Sequence, residues 1–133
     1  MWNKIDQIIN ELSLLKHPFY QAWQEGKLTK DDLRVYAKEY YHLESLLPRL
    51  ISRTHSNTQD PVVRQELTKN LSSEEIDGKS HREMWIDFAK ELGISKEEIV
   101  ESVPSLKTKE ISQKLFELAD SNDWKTGAMT LYT

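Results

Sequence analysis

The chain has 133 residues, of which 38% are hydrophobic and 30% charged, with only 4 glycines and 4 prolines, a composition typical of one globular domain built from long helices. The net charge of -4, with 18 basic and 22 acidic residues interspersed, argues against nucleic acid as a partner, and the absence of cysteine excludes disulfides, thiolate ligands and a cysteine nucleophile. The N-terminus lacks the basic start and apolar run of a signal peptide, and no apolar stretch approaches the ~18 residues of a membrane span, so we expect a cytoplasmic protein with no membrane partner.

The first predicted helix runs from Trp2 to about Lys16, because five apolar residues recur there at helical spacing: Ile5, Ile8, Ile9, Leu12 and Leu15. Pro18 ends it, since a residue before proline disfavours the helical conformation. A short helical turn from Pro18 to Gly26 follows, and glycine at its end suits a C-cap.

The second predicted helix is long and begins at a capping motif. Thr29 and Asp32 have the spacing of a capping box, with aspartate in place of glutamate. An apolar stripe then continues from Leu33 to about His55. Pro48 lies within this stripe and should kink the helix near Glu44.

The remaining elements are also helical. A third helix begins at Pro61, and later helices are predicted from Glu83 to Gly93, after Ser95, and over 106–119. We therefore predict an all-α fold with residues 1–133 in a single domain. The segment 124–133 resembles the first turns of a helix without a C-terminal cap, which indicates either an interrupted helix or a frayed terminal helix docked on the core.

Glu74 and His81 are the first candidates for metal chemistry. They are seven residues apart, so a continuous helix would present both from one face, within about 11 Å along its axis. A carboxylate and an imidazole together bind iron, manganese or zinc. The spacing is also common on solvated helix faces, and Ser80 could instead cap a helix that starts at His81.

Short motifs along the chain occur in an order and spacing that resemble one protein family. They comprise His17-Pro18-Phe19-Tyr20 with Trp23 and Gly26, Tyr36-Ala37 with Tyr40-Tyr41, Asn70-Leu71 with Glu74-Glu75, and His81 with Trp85 and Leu92-Gly93. Together they resemble the CADD group of the TenA/PqqC-like proteins over nearly the whole chain. The resemblance implies a heme-oxygenase-like helical bundle and implies that Glu74 and His81 match the family's first carboxylate and first histidine ligands.

The resemblance also implies a dinuclear iron or manganese cofactor whose other ligands lie further along. In the family a glutamate soon follows the segment that resembles Ala128 to Tyr132, and later helices add histidines and a carboxylate. We therefore expect this chain to contain only the N-terminal helices of the bundle. With two ligands of about six, its metal binding should be weak.

Four other side chains enter the functional argument. Tyr20 and Tyr36 match the tyrosines implicated in forming para-aminobenzoate in CADD-type members, although large aromatics at helical spacing are most often core residues. Glu39 aligns with the acidic residue that contacts substrate in TenA thiaminases, but the catalytic cysteine of that branch is absent. Glu44 falls on the inward stripe, and we expect it to pair with Arg49 or Arg53 or to reach the surface, not to bind metal.

Three functions remain open. The first is the N-terminal part of an oxygen-dependent dimetal oxidase acting on a small molecule or an internal tyrosine, with this chain alone inactive. The second is a PqqC-like oxidase that binds its organic substrate without a cofactor. The third is a non-catalytic module that binds a partner protein. Uncovered apolar stripes should in addition make the chain a homo-oligomer.

Overall fold

The computed structural model describes residues 2–131, without the side chains of residues 2, 3 and 5, and every regular element in this range is helical. The all-α prediction is therefore confirmed. The helices are α1 (Trp2–Glu11), α2 (Pro18–Gln24), α3 (Lys30–Glu44), α4 (Leu47–Ser56), α5 (Pro61–Glu75), α6 (His81–Glu91), α7 (Lys96–Val100), α8 (Leu106–Ala119) and α9 (Trp124–Met129), with a single 3-10 turn at Leu14–Lys16. Within 2–131, none of them is long and apolar enough to cross a membrane.

The chain divides into two compact units, Met1–Leu33 and Arg34–Thr133, and the prediction of a single domain stays a prediction. In the first unit, the predicted helix from Trp2 to Lys16 is wrong in its second half, because α1 ends at Glu11 and a separate 3-10 turn follows. The His17 side chain caps α2 by accepting a hydrogen bond from the Phe19 backbone N–H at 3.2 Å.

The capping motif before α3 is confirmed. The Thr29 hydroxyl accepts from the Asp32 N–H at 3.1 Å, and the Asp32 carboxylate accepts from the Thr29 N–H at 2.8 Å. This reciprocal pair satisfies two backbone donors that the first turn of a helix leaves without partners.

The predicted continuous helix from Leu33 to His55 is wrong, since α3 ends at Glu44 and α4 begins at Leu47. Pro48 explains the break: it has no N–H for the Glu44 carbonyl, and its ring crowds that carbonyl. One hydrophobic cluster in the core of the second unit lies just beyond the break, where α4 and α8 meet. It contains Leu46, Leu50 and Ala119, with Leu115, Phe116 and Leu131 packed against them.

Glu74 and His81 do not share a helix, so the predicted arrangement on one helix face is wrong. The α5 helix ends at Glu75, Gly78 adopts a left-handed φ of 86°, and α6 begins at His81. Ser80 caps α6 in a capping box with Glu83, which confirms the alternative role that the sequence suggested for it. Only glycine adopts this backbone conformation without strain, so Gly78 is what allows the tight reversal.

The helix predicted to begin at Trp124 exists as α9 and ends at Met129. The Thr130 hydroxyl closes it by donating to the Gly127 carbonyl at 2.6 Å. Residues 132 and 133 of the predicted segment lie outside the described residues.

A candidate metal centre at three helix ends

Three side chains that can bind a metal converge in the second unit. Glu44 is the last residue of α3, Glu74 is the penultimate residue of α5, and His81 is the first residue of α6. Each offers one ligand atom, and these atoms lie within 4.8 Å of one another. His81 Nδ1 is 2.7 Å from Glu74 Oε2 and 3.4 Å from Glu44 Oε1. The structure thus joins the two predicted ligands to a third residue.

Both carboxylates are largely withdrawn from solvent, whereas the imidazole is more open. The side chains of Glu74 and Glu44 are 12% and 13% exposed, and that of His81 is 40% exposed. Burial raises the pKa of Glu74 above its ordinary value; the nearby His81 opposes this effect, and the Glu44 carboxylate reinforces it. Negative charge on the two neighbouring carboxylates is therefore poorly solvated, which costs free energy.

Glu74 Oε2 is completely buried and accepts no hydrogen bond from any described residue. Its 2.7 Å contact with His81 Nδ1 does not have the direction of an N–H···O bond. A buried carboxylate oxygen is costly unless it is paired, hydrogen-bonded or bound to a metal. A bound cation would provide the missing partner for this oxygen.

The ion pair predicted for Glu44 with Arg49 or Arg53 is wrong. Arg49 lies over the Phe116 ring, 4.9 Å from its centroid, and Arg53 pairs with Asp120. Neither arginine forms an ion pair with Glu44, whose side chain is 13% exposed. The reason is the break after α3: α4 starts anew at Leu47 and takes both arginines toward α8.

The turn between α5 and α6 fixes Glu74 and His81 relative to each other. The backbone N–H groups of Ile76 and Asp77 both donate to the Ser72 carbonyl at 2.8 Å, and α5 ends at Glu75, one residue after Glu74. Arg82 then donates to the Tyr41 hydroxyl at 2.9 Å and ties the first turn of α6 to α3. Glu44 lies on the same helix as Tyr41, so this bond holds the third side chain in register with the other two.

The predicted tyrosines belong to different units. Tyr36 packs against Tyr40 and Trp85, with ring centroids 5.5 Å and 5.7 Å away, and Trp85 donates its indole N–H to the Ala37 carbonyl at 2.7 Å. Tyr20 belongs to the first unit, where its ring lies 5.4 Å from that of Phe19 and 6.5 Å from that of Trp23. Whether Tyr20 and Tyr36 share one cavity with the metal ligands stays a prediction.

Glu39 has a structural role in this chain. Its carboxylate accepts from the Ser105 N–H at 3.1 Å and from the Thr108 hydroxyl at 2.5 Å. It thereby binds the first turn of α8 to α3 and satisfies part of the helix N-terminus. The acidic residue that aligns with a thiaminase substrate contact is thus engaged in packing.

A cavity of about 270 Å³ adjoins the candidate centre. It is lined by Leu47, Ile51, Asn70, Ser73, Glu74 and Leu131. Its volume is at the lower end of the range for small-molecule sites, which is about 300–1,000 Å³. Glu74 therefore faces both the other ligand atoms and a small space of mixed polarity.

The donor set fits a divalent transition metal. Two carboxylates and one imidazole are ligands that iron, manganese and zinc accept, and two ligand atoms on one such ion lie about 3–4 Å apart at metal–ligand distances of about 2.0–2.2 Å. The measured separations of His81 Nδ1 from the two carboxylates are close to this range. The orphaned oxygen of Glu74 supplies a further reason for a cation.

Comparison with known proteins identifies relatives of this chain. Over 129 residues the chain is 35% identical to a 4-aminobenzoate synthase of Chlamydia pneumoniae, an alignment covering 97% of the chain and 58% of that protein. It is 42% identical over 99 residues to a 4-aminobenzoate synthase of Nitrosomonas europaea, covering 68% of the chain and 40% of that protein. A pyrroloquinoline-quinone synthase of Acinetobacter baumannii is 29% identical over 87 residues, covering 63% of the chain and 34% of that protein.

The chain thus spans little more than half the length of the Chlamydia relative and less of the other two. A sequence profile of the TENA/THI-4/PQQC family matches residues 2–133, nearly the full chain. The family resemblance seen in the motifs is confirmed, and the chain belongs to the TENA/THI-4/PQQC family.

Proposed function

We propose that this chain supplies the first metal ligands of an oxygen-dependent dimetal oxidase that forms 4-aminobenzoate. The observation that carries the proposal is the convergence of Glu74 and His81, from two helices, on a buried carboxylate oxygen without a hydrogen bond. The relatives named 4-aminobenzoate synthase support the product. The metal pair is iron or manganese, and its remaining ligands come from outside this set of residues.

Glu74 and His81 would hold the metal, and the neighbouring residues would set their geometry. When bound, a pair of iron or manganese ions supplies the oxygen-activating chemistry that oxidation of a phenol requires. The Ser80 and Glu83 capping box fixes the first turn of α6, so the imidazole is presented with little freedom. Such preorganisation matters because ligands displaced by about 1 Å lose much of their effect.

Tyr20 and Tyr36 are the candidate catalytic residues of this chain. In the proposal one or both phenols are the groups that are oxidised, in agreement with the family resemblance. The ring of Tyr36 is held by Tyr40 and Trp85, which restricts its rotation and limits access of water to that side. Trp85 follows His81 by one helical turn on α6, so the same helix positions a ligand and the aromatic neighbour of Tyr36.

A cofactor-free oxidase is the second candidate, favoured by the similarity to a pyrroloquinoline-quinone synthase. A cofactor-free mechanism assigns no role to two largely buried carboxylates beside an imidazole. A site that binds only an organic substrate would require donors to neutralise those charges, and among the described residues His81 alone forms an ion pair with them. The dimetal proposal therefore accounts for more of the geometry.

A chimera tests the proposal. Residues 1–133 replace the matching region of the Chlamydia pneumoniae 4-aminobenzoate synthase, and the protein is produced with ring-labelled tyrosine. We expect folded chimera to bind iron or manganese and to release labelled 4-aminobenzoate, measured by mass spectrometry. Glu74→Gln and His81→Ala should abolish both metal content and product, and Tyr20→Phe and Tyr36→Phe should abolish product alone.

Tyr40→Phe is the matched control, because Tyr40 lies in the same aromatic cluster as Tyr36 but is not a candidate catalytic residue. It should leave product formation within about twofold of the parent, as expected when a phenol hydroxyl is removed away from the reacting atoms. Product formation that survives complete chelation of the metal would favour the cofactor-free alternative. Normal activity of a folded Glu74→Gln chimera would contradict the proposal.

A further inference from the structure

We infer that Glu44 is a third protein ligand, and that Glu44, Glu74 and His81 form a site that binds one divalent cation within this chain alone. The inference rests on the proposed function for the role of Glu74 and His81 and adds a residue that the family resemblance does not assign. It also revises the expectation of weak binding by two ligands. Three ligands from three helices match the number of protein ligands in catalytic zinc sites, which keep one position open for water or substrate.

The position of the Glu44 carboxylate is the first argument. Its Oε1 atom lies 3.4 Å from His81 Nδ1, too long and too loosely placed for a strong hydrogen bond but suitable for two ligands of one ion. The side chain is only 13% exposed although it ends in a carboxyl group. Glu44 is thus withdrawn from water without the close partner that normally accompanies a buried carboxylate.

Charge is the second argument. The cluster contains two carboxylates and a single imidazole, and among the described residues no lysine or arginine forms an ion pair with Glu44 or Glu74. A divalent cation would compensate the charge of both carboxylates.

The helix ends provide the third argument. Glu44 and Glu74 lie in the last turns of α3 and α5, each 15 residues long, where the helix dipole adds negative potential. The local fields at the two carboxylates therefore favour a bound cation.

The test measures binding of Co²⁺ to the full 133-residue chain by calorimetry and by the visible absorption of the bound ion. We expect one Co²⁺ per chain. Glu44→Gln should weaken binding at least tenfold, since loss of even an outer-shell partner of a metal ligand typically costs about 10–100-fold. Glu74→Gln and His81→Ala should weaken it by a similar or larger factor, and Glu75→Gln, an exposed neighbour of Glu74, should leave it unchanged.

A second measurement separates a metal ligand from a structural carboxylate. In the absence of metal, Glu44→Gln removes one of two adjacent like charges, so the melting temperature should stay the same or rise. A Glu44 that served mainly to hold His81 in place would instead lower the melting temperature when replaced. The same comparison shows whether the variant folds, because an unfolded variant would display no cooperative transition.

The outcomes distinguish this inference from the proposed function. If Glu44→Gln binds Co²⁺ as tightly as the parent while Glu74→Gln and His81→Ala do not, the inference is overturned and the proposed ligands stand. If the parent chain binds no Co²⁺, the three-ligand site is also overturned, and the chimera still tests the proposed function. If all three variants bind as the parent does, both proposals are wrong.

Discussion

Gly127 in α9 is expected to be essential for the packing of α9 on α4. A Cβ added at Gly127 would lie 2.8 Å from the Thr54 hydroxyl oxygen and 3.0 Å from its methyl carbon. Thr54 is fully buried, so neither atom can swing into solvent. Carbon atoms in contact prefer separations of about 3.5–4.0 Å, and Gly127→Ala must therefore push the two helices apart.

The expected cost follows from two opposing terms. Overpacking a filled core typically costs about 1–3 kcal/mol, whereas alanine is favoured over glycine inside a helix by about 1 kcal/mol. We expect Gly127→Ala to lower the free energy of unfolding by about 1 kcal/mol, measured by urea denaturation followed by circular dichroism. The corresponding decrease in melting temperature is about 4 °C for a chain of this size.

Two Thr54 backgrounds supply the controls. Thr54→Ala removes the hydroxyl and the methyl group, leaving only the Thr54 Cβ at 3.3 Å, so adding Gly127→Ala there should be neutral or stabilising. Thr54→Val keeps the shape of the side chain and removes a hydroxyl without a hydrogen-bond partner, so the cost of Gly127→Ala should persist. Stabilisation by Gly127→Ala in the parent, or an unchanged cost beside Thr54→Ala, would refute the steric argument.

Two further predictions concern the elements around the candidate centre. Gly78→Ala should cost about 1–2 kcal/mol in urea denaturation because of its left-handed φ of 86°, and Gly78→Asn should cost less; equal costs would contradict a backbone origin, since nothing lies within 4 Å of the added Cβ. For Glu39, burial raises the pKa, but hydrogen bonds from Thr108 and Ser105 and the charge of His42 hold it below its ordinary value. A carboxyl group whose pKa is lower in the folded than in the unfolded protein stabilises the fold above the unfolded pKa. This stabilisation is lost as the pH falls through the pKa of the folded protein. The parent should therefore be more stable than Glu39→Gln at about pH 7 and lose that advantage toward about pH 3. A difference between parent and Glu39→Gln that does not change with pH would show that the carboxylate charge is not what stabilises the contact.

The helix caps were predictable from the sequence because each depends on residues a few positions apart. Thr29 with Asp32, and Ser80 with Glu83, have hydroxyl and carboxyl groups at the spacing that a helix start requires, and the structure forms both pairs. Gly93 likewise follows the end of α6, with a φ of 81°. These caps depend on residues a few positions apart and not on long-range contacts.

The continuity of the helices was less predictable. An apolar stripe with helical period runs through the Glu44–Leu47 region without interruption, and periodicity cannot distinguish one kinked helix from two helices in succession. The outcome depends on whether the segment after Pro48 packs better when it turns away. Here the contacts of Leu46 and Leu50 with α8 stabilise a separate α4.

Glu74 and His81 were identified correctly as neighbours, but for a geometric reason that does not hold. The argument from two full turns placed them on one face, whereas a reversal at Gly78 brings the end of α5 against the start of α6. Their assignment as ligands came from the family motif, and motif spacing is indifferent to whether a helix or a turn joins the two residues.

Glu44 was missed because sequence proximity suggested false partners. Arg49 and Arg53 are close along the chain, and both engage α8 in the structure. A better signal was the coincidence of a carboxylate on an apolar stripe with a proline four residues later, since Pro48 leaves the Glu44 carbonyl without its usual donor and so marks Glu44 as a helix end. All three candidate ligands lie at such ends, where the chain changes direction and side chains from different helices can meet. The two carboxylates lie at the negative ends of their own helices, which an isolated helix would disfavour and a bound cation would compensate. Helical periodicity describes which residues of a helix face the core and says nothing about which helix ends meet in space. The candidate metal centre can therefore be recognised only when the structure brings the three helix ends together.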